Sequence, residues 1–165
     1  MNHKFWRDFR KSVKTANPDA IILAEHYGDP KEWLQKGDQW DTVMNYDAFM
    51  EPLTWFLTGM EKHSDEAKPQ LKGSVKDFED SMRHYMASFQ TSQLLCAMNE
   101  LSNHDHSRFL TRTNHRVGRV SYAGAQAASE NINTAIMREA IAIQMTWPGA
   151  PTIYYGDEAL SLIHI

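Results

Sequence analysis

The chain has 165 residues, of which 42% are hydrophobic and 23% are charged, values that are typical of a globular protein of about one domain. Its formal net charge is -4, and its Lys and Arg residues are scattered, so the sequence offers no basic face for nucleic acid. Cys96 is the single cysteine, which excludes an internal disulfide and a cysteine-based zinc cage and is compatible with a cytoplasmic location. No apolar run approaches the length of a membrane span, so no membrane partner is expected.

The first third of the chain predicts a helix, then two strands with a short helix between them. Apolar residues four positions apart form one stripe on the first helix, which should end near Asn17 because Pro18 follows. The run AIILA at 20–24 is typical of a short strand that is buried on both faces. A short helix within 29–38 and a second strand at 41–46 follow.

The rest of the chain continues the alternation of helices and strands. After an expected polar surface loop at 61–74, apolar residues at steps of three and four predict an amphipathic helix over 75–95 and a well-buried helix over 131–146. Between these helices a small apolar run closes on a cluster of polar groups. The segment 148–158 predicts a turn and a brief strand with acidic residues at its end.

Strands that alternate with helices, each strand closing on polar residues, indicate βα units of a parallel sheet. In a (β/α)₈ barrel such strand ends form the face that carries the active site. The expected fold class is therefore α/β, a partial TIM (β/α)₈ barrel. Four strand candidates amount to half of such a barrel and would leave two open strand edges, so the chain resembles an incomplete domain.

Glu25 is the first candidate for chemistry, because it ends the buried strand AIILA. A carboxylate at such a position needs a partner or a retained proton. One interpretation is a salt-bridged or solvent-facing carboxylate at the start of a loop, and surface carboxylates are common. The other is a general acid that keeps its proton because its site is partly buried.

The second candidate is NHDH at 103–106. His104 and His106 could flank Asp105 as metal ligands, although no standard zinc spacing accompanies them. A capped polar turn is a second interpretation. In a third, His104 and Asp105 bind sugar hydroxyls at a strand end, where a carboxylate close to Glu25 would favour the protonated form of Glu25 by like-charge repulsion.

Three segments together resemble a known family. The stretches IILAEHYGD, NELSNHDHSRFL and PGAPTIYYGDE, in this order, resemble the fifth, seventh and eighth strand ends of the α-amylase family, glycoside hydrolase family 13. WLQKGDQWDTVMNYD is similar to the segment around the sixth strand in the neopullulanase, cyclomaltodextrinase and maltogenic amylase branch. The resemblance runs from Lys4 to about Glu158, so residues 1–159 are expected to form the carboxyl-terminal half of the catalytic barrel, strands five to eight. The tail at 160–165 resembles a translated sequencing adapter more than part of a barrel and is treated as uninformative.

The resemblance implies roles for five residues. Glu25 matches the family's catalytic acid/base, and Asp105 matches the carboxylate that stabilises the oxocarbenium-like transition state. His104 matches the imidazole that binds the same sugar ring. Tyr27 matches an aromatic position that can stack on a sugar beyond the cleavage point, and His26, next to it, replaces a common aliphatic residue.

The resemblance also implies what the chain lacks. The family retains anomeric configuration through a covalent intermediate and so needs a second carboxylate. That nucleophile is an aspartate in an Arg-x-Asp context at the fourth strand, which would precede Met1. Asp8 cannot replace it, because it lies within the first predicted helix. The chain alone should therefore be inactive.

For the full-length protein, the resemblance implies a glycosidase that cleaves α-1,4 and, in part of the branch, α-1,6 glucosidic bonds in starch-derived oligosaccharides. It allows a homodimer. No cofactor is predicted, and any calcium site would belong to the full-length protein. Two alternatives stay open: a metal-dependent TIM-barrel hydrolase that uses the histidines beside Asp105, and a noncatalytic relative with the amylase fold.

Overall fold

In the computed structural model, which describes residues 2–161, four short strands run parallel in chain order. In the first pair, Leu23 lies opposite Thr42, and in the second pair Met98 lies opposite Ala150. An isolated parallel bridge between Met44 and Met98 joins the two pairs. The strands are β1 (Leu23–Ala24), β2 (Thr42–Val43), β3 (Met98–Glu100) and β4 (Ala150–Thr152).

Helices and loops connect each strand to the next, as parallel pairing requires. The α-helices are α1 (His3–Ala16), α2 (Lys31–Leu34), α3 (Glu51–Thr58), α4 (Val75–Met86), α5 (Thr91–Leu95), α6 (Phe109–Arg112), α7 (Val120–Ala123), α8 (Ala125–Ser129) and α9 (Thr134–Thr146). A π-helical turn at Tyr46–Met50 leads into α3, and 3₁₀ turns lie at Pro69–Leu71 and Asp157–Ala159. None of the helices within residues 2–161 combines the length and the apolar character needed to cross a membrane.

The prediction of one continuous helix over 75–95 is wrong. The chain leaves the helical conformation after Met86 and starts α5 at Thr91. The side chains of Gln90 and Gln93 form a reciprocal capping box at the new start, which satisfies backbone N–H groups that a continuous helix would otherwise bond internally. The break lets Phe89 pack against the tryptophan cluster behind β1 and β2.

Two hydrophobic clusters support the strands. One fills the space between α3, α6, α9 and the residues after β3, and its buried members are Phe49, Leu53, Leu101, Phe109, Leu110, Met137 and Ala140. The other lies beside β1 and β2 and contains Ile22, Trp33, Leu34, Trp40 and Val43. Leu160 packs on the first cluster, whereas the tail residues 162–165 lie outside the described part of the chain.

The expectation that β1 is buried on both faces is wrong for this chain. Ile22 is buried, but Ile21 is 63% exposed and Leu23 is 40% exposed. Among the described residues, β1 pairs with β2 alone, so its other edge has no covering layer. Ile153 and Tyr155, just after β4, are also exposed. The four-stranded arrangement thus ends in two open, partly apolar edges.

These edges predict how the isolated chain behaves. Unpaired strand edges with exposed aliphatic side chains favour association, so we expect the 165-residue chain alone to be poorly soluble and to lack a cooperative melting transition. Light scattering coupled to gel filtration and a thermal scan by circular dichroism would measure both properties. A monomeric sample with one sharp transition would contradict the expectation.

Candidate active site at the carboxyl ends of the strands

The residues that follow three of the strands lie together at the carboxyl-terminal end of the sheet. Glu25 follows β1 directly, Tyr46 lies three residues after β2, and the NHDH segment begins three residues after β3. Because the strands are parallel and adjacent, these ends lie on the same side. The Tyr46 hydroxyl lies 3.1 Å from Oε1 of Glu25.

A hydrogen-bond path joins Glu25 to the loop that carries Asp105. The Tyr46 hydroxyl that contacts Glu25 also accepts a hydrogen bond of 3.1 Å from Nδ2 of Asn103. Oδ1 of Asn103 in turn accepts from the backbone N–H of Asp105 at 3.0 Å. Two residues that are eighty positions apart in the sequence are therefore linked through two side chains.

Tyr27 lies over this path and is close to both carboxylates. Its ring stacks on that of Tyr46 with a centroid separation of 4.8 Å. Partial burial raises the pKa of Tyr27, the neighbouring Tyr46 side chain lowers it, and the negative charges of Glu25 and Asp105 raise it further. Both carboxylates are thus close enough to Tyr27 to affect its pKa.

His104 and Asp105 are exposed and lie beside a cavity. Nε2 of His104 is 3.5 Å from Oδ1 of Asp105. Both residues line a cavity of about 380 Å³ whose lining also includes Arg119 and Ser121. That volume lies in the range of small-molecule sites, and its rim combines the imidazole, carboxylate and hydroxyl groups that can bind a polyhydroxylated ligand.

The loop after α3 holds the Asp105 loop in place. A hydrogen bond joins Nδ1 of His63 to the backbone oxygen of Asp105 at 3.2 Å, and the Ser107 hydroxyl donates to the backbone oxygen of His63 at 2.7 Å. Asp65 of the same loop forms an ion pair with Arg119. One segment therefore contacts three residues of the cavity lining, Asp105, Ser107 and Arg119.

His106 is a packing residue in this structure. Its side chain is buried, and within the described chain neither ring nitrogen has a hydrogen-bond partner. Burial, with a contribution from the Arg112 charge, lowers the pKa of His106 to about 2, so the ring is neutral. It packs against the rings of His63 and Tyr46. Across residues 2–161 no three His, Cys, Asp or Glu side chains are grouped so as to hold a metal ion.

Two other predicted site residues differ from expectation in their surroundings. Glu25 is exposed rather than partly buried, because it follows a strand whose outer edge is uncovered. The rings closest to His26 are those of Trp40 and Trp33, at centroid separations of 5.5 and 6.5 Å. His26 thus packs beside the tryptophan cluster, whereas Tyr27 stacks on Tyr46.

Sequence reasoning missed three residues of the site: Tyr46, Glu100 and the amide of Asn103. Glu100 ends β3 and is only 2% exposed. Burial raises the pKa of Glu100 to about 7, a hydrogen bond from Asn103 and the charge of Arg112 lower it, and the charge of Glu25 raises it. A carboxylate inside the apolar run AMNEL is the same kind of signal as Glu25 after AIILA, so the sequence did contain a clue.

A buried ion pair ties the end of the NHDH loop to the segment after β4. Nη1 of Arg108 lies 3.0 Å from Oδ1 of Asp157 and donates to the backbone oxygen of Tyr155 at 2.6 Å. The guanidinium also lies over the rings of Tyr154 and Tyr155. This pair fixes the YYGD segment against the loop that carries Asp105.

The alpha-amylase catalytic-domain model matches residues 1–162. The chain belongs to the α-amylase family. One relative, Neopullulanase 2 of Thermoactinomyces vulgaris, is 38% identical over 158 residues, which cover 96% of this chain and 22% of the relative. A cyclomaltodextrinase of Geobacillus thermopakistaniensis is 34% identical with the same coverage.

Solved structures agree with this family membership. The cyclic alpha-maltosyl-(1→6)-maltose hydrolase of Arthrobacter globiformis, in complex with maltose, superposes with a TM-score of 0.67 at 29% identity and is matched over 96% of this chain and 29% of its own. The acarbose-soaked debranching enzyme of Nostoc punctiforme gives a TM-score of 0.70 at 28% identity, over 93% of this chain and 30% of its own. This α-amylase-family chain therefore spans less than a third of each of these proteins.

Proposed function

We propose that this chain is the carboxyl-terminal half, strands five to eight, of the catalytic barrel in a longer glycoside hydrolase, with residues 1–159 forming that half. The full-length protein is then the polypeptide that adds the preceding half-barrel. The two open edges beside β1 and β4 support this proposal, and so does the limited share of each relative that the chain covers.

The reaction proposed for the full-length protein is the hydrolysis of α-1,4 glucosidic bonds, and of some α-1,6 bonds, in maltooligosaccharides and related α-glucans. Relatives named neopullulanase, cyclomaltodextrinase and cyclic maltosyl-maltose hydrolase support this substrate class. The observation that carries the proposal is the path from Glu25 through Tyr46 and Asn103 to the Asp105 loop. It supports a site in which Glu25 and Asp105 act on one substrate, while the nucleophile, the second carboxylate of the retaining reaction, would come from the preceding half of the barrel.

In the proposed mechanism Glu25 is the general acid and base. It donates its proton to the glycosidic oxygen while the upstream aspartate bonds to the anomeric carbon and the leaving sugar departs. Glu25 then takes a proton from the water that releases the covalent sugar. Asp105 and His104 bind hydroxyls of the sugar undergoing cleavage, and Asp105 stabilises its developing positive charge. Tyr27, with His26 beside it, would contact the acceptor sugar.

The nucleophile would come from the preceding half of the barrel. Asp8, the acidic residue in RDF, lies on α1 at the surface and pairs with Lys4 one helical turn away, which leaves it remote from the strand ends. The isolated chain should therefore show no hydrolysis. Dimerisation of the full-length protein and its cytoplasmic location stay predictions.

The test of the proposed function uses the full-length protein and the isolated chain side by side. We expect the full-length protein to hydrolyse maltodextrin, cyclomaltodextrin or pullulan and to release products that are first in the α configuration, as followed by proton NMR. Cello-oligosaccharides of equal length, with β linkages, should be left intact. Products that first appear in the β configuration, or an absence of turnover on every α-glucan, would overturn the proposal.

A further inference from the structure

The amide of Asn103 can be assigned from its partners. Its Oδ1 lies 3.0 Å from the backbone N–H of Asp105 and 3.0 Å from that of His106, so the oxygen must be the atom that accepts. Its Nδ2 therefore carries the two hydrogens, and it has two acceptors: Oε1 of Glu100 at 2.7 Å and the Tyr46 oxygen at 3.1 Å. Buried Asn103 thus uses both its oxygen and its amino group.

This assignment sets the direction of the Tyr46 hydroxyl. Because the Tyr46 oxygen accepts from Asn103, its own hydrogen is left to donate, and Oε1 of Glu25 at 3.1 Å is a nearer and stronger acceptor than the thioether sulfur of Met44 at 3.4 Å. Burial, followed by the charge of Glu100, raises the pKa of Tyr46 far above its ordinary value, so the phenol keeps its proton. The ring is fixed by stacking on Tyr27 and by an edge contact with His106.

Glu100 anchors the other end of the path. It is buried and holds one amide hydrogen of Asn103, which leaves the second hydrogen directed at Tyr46. Without an acceptor at Glu100 the Asn103 side chain would keep its loop contacts but lose one of its two amide partners. The position of the Tyr46 hydroxyl therefore depends on two buried side chains in series, Glu100 and Asn103.

We propose that Tyr46, oriented by Asn103 and Glu100, is a positioning residue that donates a hydrogen bond to Oε1 of Glu25 and so keeps the transferable proton on Oε2. This inference rests on the proposed function of Glu25 as general acid. An oxygen that accepts a hydrogen bond is the less favourable place for the acid proton, so Oε2 carries it. In the transfer the Oε2–H bond breaks, the glycosidic oxygen gains that proton, and the electron pair of the breaking C1–O bond stays with the leaving sugar.

The first experiment is Tyr46→Phe in the full-length protein, which keeps the stacked ring and removes the hydroxyl. We expect kcat on maltodextrin to fall about 10- to 100-fold, as expected for a lost hydrogen bond to an ionisable group, with little change in KM. On a nitrophenyl α-glucoside, whose leaving group needs no proton, the loss should be much smaller.

Tyr122→Phe is the matched control, because Tyr122 is 84% exposed on α7; this variant should behave like wild type. If Tyr46→Phe fails to fold, a pair of variants at Glu100 replaces it. Glu100→Leu removes the acceptor of the Asn103 amide and should lower kcat on maltodextrin more than Glu100→Gln, which keeps an acceptor oxygen. Circular dichroism melting curves would check folding of each variant.

Two results would overturn the inference. One is an unchanged kcat in Tyr46→Phe, and the other is an equal loss on both substrates, which would indicate a merely structural role. Failure of the proposed function would look different. In that case the wild-type protein would not hydrolyse α-glucans, or Glu25→Gln would be as active as wild type.

Discussion

Replacing Glu25 by Gln in the full-length protein is expected to lower turnover of maltodextrin by about 100- to 10,000-fold, the range that a positioned general acid contributes. Gln keeps the size of the side chain and an oxygen that can accept from the Tyr46 hydroxyl, so the surrounding hydrogen bonds survive. It cannot donate or accept the proton that the reaction moves. The measurement is kcat and KM from the release of reducing ends.

The control for this prediction is Glu32→Gln, the same chemical change at an exposed residue on α2. It should leave kcat unchanged. A substrate with a nitrophenyl leaving group provides a second comparison, because its first bond cleavage needs no acid, and Glu25→Gln should release the first nitrophenolate at close to the wild-type rate. Turnover of maltodextrin that equals wild type would remove Glu25 from the mechanism.

The largest expected effect on stability comes from Arg108→Met. Arg108 is fully buried, and its partner Asp157 is nearly so. Removing the guanidinium leaves a buried carboxylate without its ion-pair partner, a change that costs about 3 to 5 kcal/mol of unfolding free energy. Burial already raises the pKa of Asp157, while hydrogen bonds from Ser102 and Arg108 lower it. The midpoint of urea unfolding of the full-length protein, followed by tryptophan fluorescence, would report the loss.

A matched variant compares the loss of this buried ion pair with the loss of an exposed one. Arg116→Met breaks the exposed ion pair with Glu130 and should cost only about 0 to 1 kcal/mol. Adding Asp157→Asn to Arg108→Met should recover part of the stability, because the buried charge is then removed as well. If Arg108→Met shifted the midpoint no more than Arg116→Met, the pair would not be the link between the Asp105 loop and the segment after β4.

The sequence predicted the order of the elements because each strand and helix has a local signature. The aliphatic run at 20–24 gave β1, and the four-residue apolar spacing gave α1. The exposure of Ile21 could not be derived in the same way, since burial of a strand depends on what lies beside it. The end of α4 was missed for a related reason: Gln90 and Gln93 cap α5 only once the chain has turned toward the tryptophan cluster.

The site was predicted in part for a similar reason. Glu25 and Asp105 stand out locally, as polar residues that follow apolar runs. Tyr46 does not, because its role comes from contact with Asn103, which lies 57 positions later. Such partners are set by the packing of parallel strand ends, and they cannot be predicted from the spacing of residues along the chain. Glu100 lies between these cases. Its apolar neighbours in the sequence single it out, but its contact with the Asn103 amide is visible only in the structure.

The most direct test of the account is a crystal structure of the full-length Glu25→Gln variant with a bound maltooligosaccharide. The account predicts that the side chain at position 25 lies within hydrogen-bond distance of one glycosidic oxygen, and that the Asp105 carboxylate binds hydroxyls of a sugar joined by that oxygen. An oligosaccharide that contacts one of these residues while the other faces a separate space would contradict it.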